Sequence, residues 1–147
     1  FDKYYPGITI YKFRKDVQVN GPAQVDALID QNPEISEQFT LWDQHGSKVE
    51  RGRMIILPMG NHSVLYVQPI YMISTKSKIP ELTRVIVSIG NEVVMQKTLV
   101  TAFRRLKEKF VKKAKEVGGS GTSATEVEPT PAEEVLDKVL EGKGTGG

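Results

Sequence analysis

Two apolar runs, Arg84-Val85-Ile86-Val87-Ser88-Ile89 and Glu92-Val93-Val94-Met95-Gln96, are separated by only Gly90-Asn91, and no other feature restricts the fold of this chain so tightly. A two-residue Gly/Asn connection between β-branched segments specifies a tight hairpin, because such residues reach the positive φ angles that match the twist of paired strands. Centring the hairpin on Gly90-Asn91 places Val87 opposite Val94 and Ile86 opposite Met95. Apolar pairs then lie on both faces of the ribbon, which fixes its register and requires that both faces be covered.

The strand period extends through residues 49–96. RMIILPMG (53–60) and SVLYVQPIYMIS (63–74) read as further strands of an antiparallel meander, rich in branched side chains and bounded by turn residues. Pro58 and Pro69 interrupt these runs and donate no ladder hydrogen bond, so a bulge or a sheet edge is expected at each. Ile8–Phe13 has apolar residues at both parities and reads as an internal strand.

Three helices are expected. Pro22 suits a first helical position, with Ala23, Ala27 and Leu28 on its apolar side and an end near Asn32. Asn32-Pro33-Glu34 repeats the start signal and places Ile35, Phe39 and Trp42 on one stripe before Asp43-Gln44-His45-Gly46. Thr98–Val117 carries Leu99, Phe103, Leu106, Phe110 and Ala114 on one stripe, opposed by Arg104, Arg105, Lys107, Lys109, Lys112, Lys113 and Lys115. The fold class is therefore α+β: an antiparallel sheet of four to five strands packed against about three helices.

Charge divides the chain at Gly118. Residues 1–117 hold 18 Lys+Arg against 12 Asp+Glu, whereas 118–147 hold 2 against 6. The latter segment, GGSGTSATEVEPTPAEE and onward, lacks aromatic residues and reads as a disordered acidic tail after a compact domain spanning 1–117. Thr130-Pro131 and the apolar Val135, Leu136, Val139 and Leu140 predict a short helix over 131–141. With 39% hydrophobic and 26% charged residues and a mean hydropathy of −0.31, the chain is globular in composition, and no apolar run is long enough to span a bilayer. It has no cysteine, which excludes disulfides and thiolate chemistry. Its first residue is Phe, so the chain reads as a segment of a longer protein.

Few residues invite chemistry. His45 and His62 sit in turns without a second ligand at metal spacing. Ser47, Ser63 and Thr75 lie in no nucleophile elbow, and no phosphate-cradling glycine motif is present. Asp26, Asp30, Glu34 and Glu37 cluster around the first two helices, but their positions fit helix-start acids and solvated faces. No catalytic, cofactor or metal residue is assigned. The basic face of the last helix, through Arg104, Arg105, Lys109, Lys112 and Lys113, is a candidate contact for anionic lipid or an anionic partner. Nucleic acid is disfavoured because no aromatic residue interleaves these cations.

The strings GPAQVDALIDQNPEISEQFTLWDQHGSKVERGRMIILP, SVLYVQPIYM and IPELTRVIVSIGNEVVMQKTL, in this order, make the chain from about Tyr11 to Leu106 resemble the C-terminal part of UPF0182, a family of uncharacterised bacterial membrane proteins. The resemblance implies a large parent with several membrane-spanning helices, followed by a long extracytoplasmic region that ends in this segment. It brings no activity and no catalytic residue. Where the family tends to an acidic residue, this chain has Gln68, and no carboxylate role is implied there. The segment from Lys107 onward matches no family pattern.

The resulting expectation is a non-enzymatic domain for interaction or assembly at the outer face of the cytoplasmic membrane. Its partners would be the upstream membrane-embedded region of the same protein, another envelope protein or anionic lipid, and no cofactor is expected. Strand surface around Tyr66 and Tyr71 is the candidate protein interface. The alternative is a ligand-binding or envelope-substrate-processing domain completed by upstream sequence.

Overall fold

The computed structural model describes residues 7, 10–16, 18–59 and 63–117. Its elements run α1 (Pro22–Gln31), α2 (Pro33–Gln44), β1 (Ser47–Arg51), β2 (Ile55–Pro58), β3 (Val64–Ser74), β4 (Pro80–Ile89), β5 (Glu92–Gln96) and α3 (Leu99–Val117). The five strands form one antiparallel sheet in the order β1-β3-β4-β5, with β2 also paired to β3. This is the expected α+β class, with helices on both faces of the sheet.

Local chemistry explains the helix boundaries. Gln24 accepts a hydrogen bond from the Gly21 N–H at 2.7 Å, which ties the entrance of α1. Asn32 is held extended by the following proline, so α1 stops there. The Asn32 side chain then accepts from the Ile35 N–H at 3.2 Å and starts α2. Thr98 caps α3 in the same way, accepting from the Thr101 N–H at 3.3 Å.

The hairpin has the expected register, with Val87 opposite Val94 and Ile86 opposite Met95. Gly90 adopts φ +57°, as its tight turn requires. Each face has its own core. On one side Leu65, Val67, Val87, Ile89 and Val94 pack against Ala102, Phe103 and Leu106 of α3. On the other, Val64, Tyr66, Ile70, Ile86 and Val93 pack against Val25 and Ile29 of α1 and Ile35 of α2.

Several expectations are corrected. Residues 10–13 form no strand, and Ile10 and Tyr11 are 85% and 60% exposed; Ile8 and Ile10's other neighbour, Thr9, lie outside the described residues. A strand needs a neighbour to satisfy its backbone, and β1 with β2 already occupies that side of β3. The fifth strand is instead β1, whose polar sequence SKVER hides it from an apolar-run search. The buried side of α1 is Val25 and Ile29, while Ala23 and Ala27 are exposed. On α3, Leu99 is 41% exposed and Ala114 is exposed, because the helix extends past the sheet. The acidic tail and the helix expected over 131–141 lie outside the described residues.

Candidate functional site

Side-chain alternation along β3 shows what α3 leaves bare. Leu65 and Val67 lie in the core beneath α3, so Pro69, Tyr71 and Ile73 face the same way further along the strand. Leu82 is paired with Tyr71, Ile55 with Val67 and Leu57 with Leu65, which puts all three on this face. α3 makes most of its strand contacts with β5 and β4. Leu82, Ile55 and Leu57 are accordingly 60%, 50% and 42% exposed. Ile56, on the opposite face of the same edge strand, is 48% exposed. Ile55 and Leu57 neighbour each other on this face of β2, and Leu82 lies beside Tyr71 on the other side of β3, four residues along from Val67; exposed apolar side chains sharing one sheet face mark surfaces that meet other protein.

The sequence-predicted pair Tyr66 and Tyr71 is split by the sheet. Tyr71 is half-buried and belongs to the bare face. Tyr66 is 5% exposed beneath α1, and its hydroxyl donates to the Asn20 carbonyl oxygen, so it serves the core and offers no contact surface. Burial pushes the Tyr66 hydroxyl above its ordinary pKa of 10.0. Ile55, Leu57 and Leu82 were not singled out by sequence, although the run Ile55-Ile56-Leu57 in a strand beside two glycines was a readable signal.

The basic helix face is partly engaged within the domain. Lys109 Nζ donates to the Val93 carbonyl oxygen at 3.1 Å, and Lys113 pairs with Glu92 at 3.0 Å. Arg105 pairs with Glu108 at 3.5 Å. Arg104 and Lys112 are exposed and have no ion-pair partner among the described residues.

The carboxylates do not converge. Asp30 pairs with Arg51, whose guanidinium also lies 5.2 Å from the Phe39 ring centroid. Glu34 sits on the far side of α2's start, facing a cleft beside β5. No group of three His, Cys, Asp or Glu among the described residues is placed to hold a metal ion. His45 closes α2 and is exposed, and His62 lies outside the described residues. No helix among the described residues is long and apolar enough to cross a membrane.

Comparison with known proteins agrees with the sequence resemblance. Residues 2–42 match the model of an uncharacterised protein family, UPF0182. A UPF0182 protein of Methylococcus capsulatus is 56% identical over 109 residues, covering 74% of this chain and 12% of the relative. The chain belongs to the UPF0182 family. A UPF0182 protein of Syntrophobacter fumaroxidans is 53% identical over 108 residues, or 73% of this chain and 12% of that protein. One from Geotalea uraniireducens is 43% identical over 129 residues, 87% of this chain and 13% of the relative. That alignment is longer than the stretch from Tyr11 to Leu106 on which the resemblance rested. The chain thus spans about 12% of the length of the curated UPF0182 relatives it matches. No solved structure matches it.

Proposed function

We propose that this part of a UPF0182 protein is a non-catalytic docking domain, whose bare sheet face is covered by another part of the same long polypeptide. The observation that carries the reading is the apolar surface of Ile55, Leu57 and Leu82 beside Tyr71 and Ile73, left open by α3. Its occupant is argued from length: relatives extend far beyond this segment, and a covalently linked partner is present at high effective concentration. The family resemblance supports the wider setting, in which the domain stands at the outer face of a bacterial cytoplasmic membrane and serves assembly there.

The absence of cysteine gives a clean test. Leu82→Cys introduces the chain's single thiol on this face, beside Tyr71. Its maleimide labelling, followed on the Leu82-containing peptide by mass spectrometry, is expected to be fast in this chain and at least about tenfold slower in the full-length protein that carries it. Equal rates would overturn the reading.

A further inference from the structure

The strand at the other side of the sheet has an open edge, and its chemistry differs from that of the bare face. Because the hairpin turn holds two residues, Ile89 and Glu92 form its closing hydrogen-bonded pair, followed by Val87 with Val94 and Val85 with Gln96. The alternate residues Val93 and Met95 therefore direct their N–H and C=O groups away from β4. The contact of Lys109 with the Val93 carbonyl oxygen, 3.1 Å from outside the sheet, agrees with this phase. Met95 N–H and C=O have no hydrogen-bond partner among the described residues.

The two halves of this edge are treated differently. At the Glu92 end, Lys109 and Lys113 reach down from α3 and close the strand, the usual way in which an edge is kept from pairing. At the Met95 end the edge lies in a cleft of about 360 Å³, with Ile35 and Gln38 of α2 on one side and Thr101 of α3 on the other. A second hollow of about 340 Å³ continues it past Gln96 to Arg104 and Arg105.

We propose that this cleft receives one extended strand with an acidic side chain, contributed by the remainder of the UPF0182 polypeptide and hydrogen-bonded to Met95. Three observations select that occupant. The free N–H and C=O of a single outward residue match the paired bonds that an added strand makes. Residues of α2 and of α3 line the hollow beside this edge, so side chains of an added strand would have walls to pack against. The charged groups lining the two hollows are Arg84, Lys97, Arg104 and Arg105 against Glu34 and Glu108, with Glu108 paired to Arg105, so the balance is cationic and an incoming carboxylate is attracted. This inference concerns a different surface from the bare sheet face and does not depend on it.

The test is backbone amide exchange at Met95, read in this chain and in the full-length protein that carries it. Met95 is expected to exchange at least about tenfold more slowly in the full-length protein, while the inward Val94 amide, bonded to β4, exchanges alike in both. Arg104→Glu with Arg105→Glu, two exposed positions, should return Met95 to the faster rate in the full-length protein without altering Val94. Equal Met95 rates in the two proteins would overturn the proposal. Retained protection in the double variant would overturn the acidic strand, and protection of this chain alone that grows with its concentration would overturn it in favour of self-association. Leu82 labelling reports the other face, so the two readings fail separately.

Discussion

Gly52 and Pro69 face each other across a half-made strand pair: the Gly52 N–H donates to the Pro69 carbonyl oxygen at 2.8 Å, and Pro69 has no N–H to return the bond. The missing donor is replaced by the neighbouring side chain, because Gln68 Nε2 reaches the Gly52 carbonyl oxygen at 3.2 Å. The same place is where β1 gives way to β2. Arg51 pairs with Ile70 and Ile55 with Val67, so the edge strand advances one residue more than β3 and forms a bulge.

Gly52→Ala should be costly for a steric reason. A Cβ on Gly52 would lie 2.7 Å from Pro69 Cγ and 2.8 Å from Tyr71 Cε2, both parts of packed rings. A loss of about 1–3 kcal/mol in urea unfolding is expected, the range for overpacking a filled site. Gly7→Ala, with nothing within 4 Å of the added carbon, is the control and should leave the midpoint unchanged.

Gln68 is 7% exposed, and its Oε1 has no partner among the described residues, so only its donor side contributes. Gln68→Met loses that donor but also removes the unsatisfied acceptor, and should fall within about 1 kcal/mol of the parent. Gln68→Glu should differ sharply with pH. Burial raises the carboxyl's pKa in the folded state above the unfolded value of about 4.3. The protonated acid can donate to Gly52, so stability is present below about pH 4 and is lost as pH rises through the folded pKa. Urea midpoints at low and neutral pH check this, and a pH-independent Glu variant would contradict it.

The Tyr66 hydroxyl, whose pKa burial raises above 10.0, imposes the same sign at alkaline pH. Its contribution is complete below pH 10 and is lost as pH rises through the still higher folded-state value. Absorbance titration of the phenolates should show one tyrosine ionising late. Tyr66→Phe should abolish that late step and cost about 1 kcal/mol, since the Asn20 carbonyl loses its donor.

The legible parts of this fold were those written in local chemistry. Gly90-Asn91 determined a register that the structure reproduces pair for pair, and the Pro22 and Asn32-Pro33 signals located two helix starts. The expected irregularity at Pro69 is present, but in the opposing strand, since a proline in a central strand can be accommodated by its neighbour. Ile10 and Tyr11 misled because alternation states only that a residue could be buried, and burial requires a partner strand that lies elsewhere in sequence. The bare face escaped notice for a related reason. Which residues of a strand remain uncovered depends on where α3 ends relative to the sheet, and no local pattern records that distance.

The same limit separates two leucines that occupy equivalent places on the predicted stripe of α3. Leu106 is fully buried against Leu65, Val67 and Val87, whereas Leu99 stands 41% exposed at the helix start. Leu106→Ala should therefore cost about 2–5 kcal/mol, because the sheet and helix cannot collapse into the space it leaves. Leu99→Ala should cost less than about 1 kcal/mol. Urea unfolding of the two variants side by side checks the contrast. Equal losses would mean that α3 is seated a turn away from the position described, and the extent of the bare face beside Leu82 would have to be redrawn with it.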